Sequence, residues 1–150
     1  MSMKSSATLL LSVIILFSAC KKHDSNGFNP EYFQFGNGGG FCLNCNHYYL
    51  IENGKLYADS MGTTTFLSTP MSNDKYILAK TLVNDFPKYL LDNPNQTYGC
   101  PNCHDQGKVY IECKINGMIE KWNIDPDTAN QPSAIKSYIQ QMNTVIEQLR

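Results

Sequence analysis

The chain has 150 residues, of which 42% are hydrophobic and 11% aromatic, and its formal net charge is -1 at pH 7. This length and apolar content are typical of one globular domain, and they exclude a disordered chain. The basic residues are few and scattered, which excludes a surface that follows a phosphate backbone, so no nucleic acid is expected as a partner.

Residues 1–19 have the pattern of a secretory signal peptide. Lys4 precedes an apolar run over residues 7–17, and small residues then lead to Cys20. The run is shorter than the roughly 20 residues of a membrane-spanning helix, so a cleaved leader is favoured over a transmembrane segment. The remaining alternative to a lipoprotein leader is an ordinary cleaved leader followed by a chance cysteine.

The segment from Leu16 to Cys20 resembles the signal of bacterial lipoproteins, in the form common in the phylum Bacteroidota, although Phe17 departs from the usual pattern. The resemblance implies that Cys20 becomes the first mature residue and carries acyl chains such as palmitate. Such chains would anchor the protein in the outer membrane, facing the periplasm or the cell surface. Residues 20–31 then predict a flexible tether, and residues 32–150 predict a single domain.

Two Asn-Gly dipeptides, at Asn53 and Asn116, predict tight β-hairpins. The register follows from a two-residue turn. It places opposite charges next to the first turn, and apolar or aromatic partners in the other pairs. The predicted cross-strand pairs are Glu52 with Lys55, Ile51 with Leu56, Leu50 with Tyr57, Ile115 with Met118, Ile111 with Trp122, and Val109 with Ile124.

Apolar residues recur with helical spacing over residues 77–86 and again over residues 135–149. Pro87 ends the first of these helices or kinks it, and residues 92–98 are predicted as a polar loop. A short first strand at residues 32–35 and a β-rich stretch at residues 63–67 add to the hairpins. We therefore predict an α+β domain, with an antiparallel sheet of about four to five strands and two helices packed on one face.

Three segments of the domain resemble small lipoproteins of Bacteroidota. These are a Phe-Gly-x-Gly-Gly-Gly-Phe segment at residues 35–41, a Tyr-x-Leu-x-Glu-Asn-Gly-x-Leu-Tyr segment at residues 48–57, and a late strand with Trp122. The resemblance implies a fold and a location, and it carries over no activity.

Two Cys-x-x-Cys pairs are the most specific chemical pattern in the chain: Cys42 with Cys45, and Cys100 with Cys103. Four thiolates from two loops that meet would close a tetrahedral zinc site. An exported chain, however, meets an oxidising compartment in which disulfides form. The sequence does not decide between zinc and disulfides. In both cases we expect the two cysteine pairs to come together and cross-link the two loops.

The second pair also allows redox chemistry. Cys100, Cys103 and His104 match the attachment pattern of c-type haem, and Cys-Pro-x-Cys can form a thiol redox centre. Both are typical where the motif opens a helix, whereas a strand is predicted from residue 108, so haem c is disfavoured. His47 and His104 flank the pairs and could assist a metal or a thiolate. The odd cysteine, Cys113, is expected in the core because it lies on an apolar strand face.

No set of nucleophile and base stands out, and the glycine run at residues 36–40 lacks the lysine and following helix of a phosphate loop. We therefore expect a non-catalytic binding or structural module, anchored to the envelope membrane by lipid, with an envelope protein or a small ligand as its partner. The alternative is a thiol redox or c-type haem electron-transfer protein that uses Cys100, Cys103 and His104.

Overall fold

The computed structural model describes residues 27–39, 46–59, 62, 64–101, 103 and 107–150. Within these residues the chain forms six strands, three α-helices and a short 3-10 helix. In chain order they are β1 (Tyr32–Gly38), β2 (His47–Glu52), β3 (Lys55–Ala58), α1 (Asn73–Asn84), α2 (Lys88–Asp92), β4 (Thr97–Tyr98), β5 (Lys108–Ile115), β6 (Met118–Ile124), the 3-10 helix (Thr128–Asn130) and α3 (Ser133–Leu149).

The strands form one sheet with the order β3-β2-β1-β5-β6-β4. Neighbouring strands of the sheet are antiparallel, except that β4 pairs parallel to β6. The α+β class is confirmed, but the prediction of an antiparallel sheet of four to five strands with two helices is wrong, since the described residues form a mixed sheet of six strands and three α-helices. The extra strand, β4, has only two residues and lies in the segment predicted as a loop, because a strand this short has no periodicity to detect. In the described part of residues 63–67, Phe66 forms only an isolated bridge with Asp59.

Both predicted hairpins are confirmed, with every predicted cross-strand pair in register. Asn53 and Gly54 have φ angles of 50° and 70°, and Asn116 and Gly117 have 50° and 79°. Positive φ at both turn positions is the geometry that matches the twist of a two-residue hairpin, and Asn-Gly adopts it at low cost.

The core lies between the sheet and the helices. Alternation along the strands places Phe33, Phe35, Ile111 and Trp122 on one face, where all four are fully buried. The helices cover this face. Burial of each side chain of this size contributes roughly 1.5–3 kcal/mol to the free energy of folding. The buried stripe of α3 is the one that its spacing predicted: Ile135, Tyr138, Ile139, Met142, Val145, Ile146 and Leu149.

The folded part of the chain begins before residue 32. Phe28 stacks on Phe86 with ring centroids 4.2 Å apart and meets Phe33 edge-on. The amide of Glu31 also donates a 2.7 Å hydrogen bond to the carbonyl of Lys114. Phe28 and Glu31, which lie in the segment predicted as a tether, thus contact the folded domain.

Candidate functional site at the loop end of the sheet

Cys100 and Cys103 are joined by a disulfide, with their Cα atoms 5.4 Å apart. The amide of Cys103 donates a 3.1 Å hydrogen bond to the carbonyl of Cys100, which closes a turn, and both residues are exposed. Of the two states that the sequence left open, this pair is in the disulfide form. The bond lies within one loop, so it does not cross-link the two cysteine loops. The prediction that a disulfide would do so is not met by this pair.

This disulfide loop is held in place by Asp125, whose side chain is buried. Its Oδ2 accepts hydrogen bonds from the amide of Cys100 at 2.9 Å and the side-chain amide of Asn130 at 3.0 Å. Its Oδ1 accepts one from the amide of Asp127 at 2.9 Å. These donors offset the cost of removing the carboxylate from water. The sequence indicated only a strand end here, although short acidic side chains in an Asp-Pro-Asp segment often accept from nearby amides.

The parallel pairing of β4 with β6 brings this loop to Asp125. Tyr98 pairs with Ile124, and the amide of Asp125 donates a 2.9 Å hydrogen bond to the carbonyl of Tyr98. Gly99 follows with a φ angle of 70°, and a Cβ atom there would lie 2.5 Å from that of Asp125. A glycine is therefore required between β4 and the disulfide.

The two cysteine loops leave the sheet at the same end. Gly38 at the end of β1 pairs with Lys108 at the start of β5, so the loop after β1 and the loop before β5 have neighbouring anchor points. Gly107 packs tightly there, since an added Cβ would lie 2.8 Å from the carbonyl oxygen of Gly38. We call this edge, where β1 and β6 end and β2 and β5 begin, the loop end of the sheet.

Several predicted site residues lie outside the described residues: Cys20, Cys42, Cys45 and His104. Lipid attachment and a four-cysteine zinc site therefore stay predictions. In the part of the chain that the structure describes, no group of three or more His, Cys, Asp or Glu side chains is placed to hold a metal ion. A zinc site that includes Cys100 and Cys103 would first require reduction of their disulfide, because zinc binds thiolates.

Cys113 is fully buried in the core and belongs to no disulfide. Burial, with smaller contributions from Glu120 and Glu112, raises the pKa of its thiol to about 12. The prediction that the odd cysteine acts as a small core hydrophobe is confirmed, because a neutral and inaccessible thiol is inert.

A second polar cluster lies on the face of the sheet opposite the helices, and the sequence did not indicate it. Glu112 accepts hydrogen bonds from the hydroxyls of Tyr32, at 2.6 Å, and Tyr110, and it forms a 2.8 Å ion pair with Lys121. Burial alone would raise the pKa of Glu112, but the hydrogen bonds from Lys121, Tyr110 and Tyr32 together lower it. Burial and the Glu112 charge raise the pKa of both tyrosines.

The ring of Tyr48 extends this open face across two glycines of β1. A Cβ atom on Gly36 would lie 2.7 Å from the Tyr48 ring, and one on Gly38 would lie 2.3 Å from its hydroxyl. The ring also meets Tyr110 edge-on, with centroids 6.0 Å apart. The glycines of the Phe-Gly-x-Gly-Gly-Gly-Phe segment thus make room for an aromatic side chain, which explains two of them by packing.

Comparison of the chain with protein-family models, with curated proteins and with solved structures finds no match. Among the described helices, none is long and apolar enough to cross a membrane.

Proposed function

We propose that this chain is a lipid-anchored protein of the bacterial outer membrane whose domain is a non-catalytic binding or structural module. The observation that carries the proposal is the leader, in which Lys4, the apolar run and the small residues precede Cys20. The disulfide between Cys100 and Cys103 supports export, since disulfides persist in oxidising compartments.

The contacts of two carboxylates among the described residues, Glu112 and Asp125, support a module without catalysis. Both oxygens of Glu112 accept hydrogen bonds from tyrosine or lysine side chains. Both oxygens of Asp125 accept from backbone amides, one from Cys100 in the disulfide loop and the other from Asp127. A general base must reach a substrate proton, and these two groups instead stabilise the sheet and its loop.

The test of anchoring is metabolic labelling of the full chain with an alkyne analogue of palmitate in a Bacteroidota host. The parent and the control Cys103→Ser should take up the label and sediment with outer membranes. Cys20→Ser should lose the label and accumulate with its leader attached. If Cys20→Ser is labelled and processed like the parent, the lipoprotein proposal fails.

A thiol redox function is the second candidate, because the Cys100 and Cys103 disulfide is exposed, and exposed disulfides are among the more easily reduced. Its environment favours a structural bond instead. A strand follows the motif, and the amide of Cys100 is bonded to the carboxylate of Asp125, whose negative charge would oppose a thiolate nearby.

A disulfide-reductase assay with the reduced full chain separates the two candidates. We expect a rate close to that of a small-molecule dithiol and of the Cys100→Ser variant. A rate at least about 10-fold above that variant, together with a lowered thiol pKa at Cys100, would favour the redox function. A haem attached through thioethers would use the same two sulfurs, and no described contact favours it.

A further inference from the structure

A hollow of about 320 Å³ lies at the loop end of the sheet, between β2, β3 and the last turn of α3. This volume is at the lower end of the range typical of small-molecule sites. Its wall is mainly apolar and is formed by Tyr49, Ala58, Met71 and Leu149. The wall suits an aliphatic or aromatic body, which would gain from leaving water.

Basic side chains also line the hollow: His47, Lys75 and Arg150. Lys75 donates a 2.7 Å hydrogen bond from Nζ to the carbonyl of Leu149, so it offsets the partial negative charge at the end of α3. Arg150 forms a 3.0 Å ion pair with Glu147 one turn earlier through one of its guanidinium nitrogens. Its planar group has five N–H donors, more than this pair uses.

The lining also includes the side chain of Asp59, which accepts a 2.9 Å hydrogen bond from the amide of Thr64. His47 lies on the helix-covered face of β2, as does Tyr49. Burial first and the charge of Arg150 second lower the pKa of His47, and Glu147 opposes them. An anion between His47 and Arg150 would interact favourably with both, and it would make protonation of His47 easier.

We propose that this hollow binds a small amphipathic carboxylate. The carboxylate faces Arg150 and His47, because a guanidinium and an imidazole are natural donors to it. The apolar body lies against Tyr49, Met71 and Leu149. This inference deepens the binding role proposed above and rests on it, but it does not depend on the lipid anchor.

The test uses the full chain in phosphatidylcholine nanodiscs, with radiolabelled hexanoate as the probe in equilibrium dialysis and empty nanodiscs as the blank. We expect saturable binding of one equivalent. Hexanamide, which has the same body without the charge, should bind at least about 10-fold more weakly, a difference that one well-placed ionic hydrogen bond can supply.

Three variants locate the site. Arg150→Gln should weaken hexanoate binding at least about 10-fold, and Arg150→Lys should restore part of it. The matched control is Lys108→Gln, which removes a basic side chain at the same end of the sheet but outside this lining. Thermal melting of each variant reports folding separately from binding.

The pH dependence gives an independent readout. Saturating hexanoate should raise the lowered pKa of His47 in an NMR titration, because a bound carboxylate favours the protonated imidazole, and hexanamide should not. The charged side chains that share the hollow with the imidazole are Arg150, Lys75 and Asp59, and Glu147 also acts on its charge.

Equal binding of hexanoate and hexanamide, absence of saturable binding, or no effect of Arg150→Gln would overturn the inference. A chain that is lipidated on Cys20 but does not bind hexanoate refutes this site alone. A chain that binds hexanoate but carries no lipid refutes the anchoring proposal alone.

Discussion

The amide of Cys100 donates a 2.9 Å hydrogen bond to the buried carboxylate of Asp125, which follows it by 25 residues in the chain. The disulfide to Cys103 is local and closes only its own turn. The attachment of this loop to the domain therefore depends on Asp125, and the disulfide contributes to the shape of the loop.

Asp125→Ala should lower the free energy of unfolding by about 3 kcal/mol, because it leaves the amides of Cys100 and Asp127 without their buried acceptor. Chemical denaturation of the full chain measures this. The control Asp127→Ala removes only an exposed hydrogen bond to the amide of Ala129 and should cost about 1 kcal/mol. Equal losses in the two variants would contradict the role given to Asp125.

Glu112→Gln should lower stability by about 1–2 kcal/mol at pH 7, since hydrogen bonds to a charged acceptor are stronger than those to an amide. The folded-state pKa of Glu112 lies below its ordinary value of 4.5. Its ionised form therefore stabilises the fold fully above that pH, and the contribution is lost as the pH falls through the lower folded value.

Urea denaturation at several pH values measures the difference between the parent and Glu112→Gln, which should shrink on acidification. Asp92→Asn is the control, because Asp92 forms an exposed ion pair with Lys88 on one helix turn. Exposed pairs of this kind contribute little, so this variant should resemble the parent near neutral pH. A Glu112→Gln difference that grows as the pH falls would refute the prediction.

Gly36→Ala should destabilise the domain by about 3 kcal/mol, since the new Cβ would lie 2.2 Å from the carbonyl oxygen of His47 and 2.8 Å from the Cα of Tyr48. Backbone atoms in a paired strand cannot move aside as a flexible side chain can. Gly54→Ala is the control at the exposed hairpin turn, where no atom lies within 4 Å and the φ angle is 70°. Its cost should be about 1 kcal/mol, from backbone strain alone. Thermal unfolding ranks the two, and the opposite order would rule out the packing argument.

Cys113 should react with a thiol reagent at least about 100-fold more slowly in the native chain than after unfolding, because it is buried and its pKa is raised to about 12. Mass spectrometry after timed labelling at about pH 8 identifies the modified residue. In the Cys100→Ser variant the released thiol of Cys103 is exposed and should react quickly under the same conditions. Labelling of native Cys113 at the rate of that thiol would show that the core opens readily.

Local sequence patterns were sufficient to predict the two hairpins and the long helix. Asn53 and Asn116 predicted both hairpins and their registers correctly. Asn-Gly readily adopts the positive φ angles of a two-residue turn, and the length of the turn sets the register of the two strands. The stripe of α3 was equally clear, since seven buried residues recur at helical spacing over seventeen. Such elements depend on neighbours in the sequence.

Sequence patterns were therefore enough to predict the two hairpins, the long helix, the buried position of Cys113 and the α+β class. The pairing of β4, the packing of Phe28 against Phe86, and the contacts of Glu112 and Asp125 became visible only in the folded chain. These two groups of features differ in the range of their interactions, because a turn angle or an apolar stripe is encoded over a few residues. A buried carboxylate is instead defined by donors that the fold brings to it, and no local pattern records which donors those are.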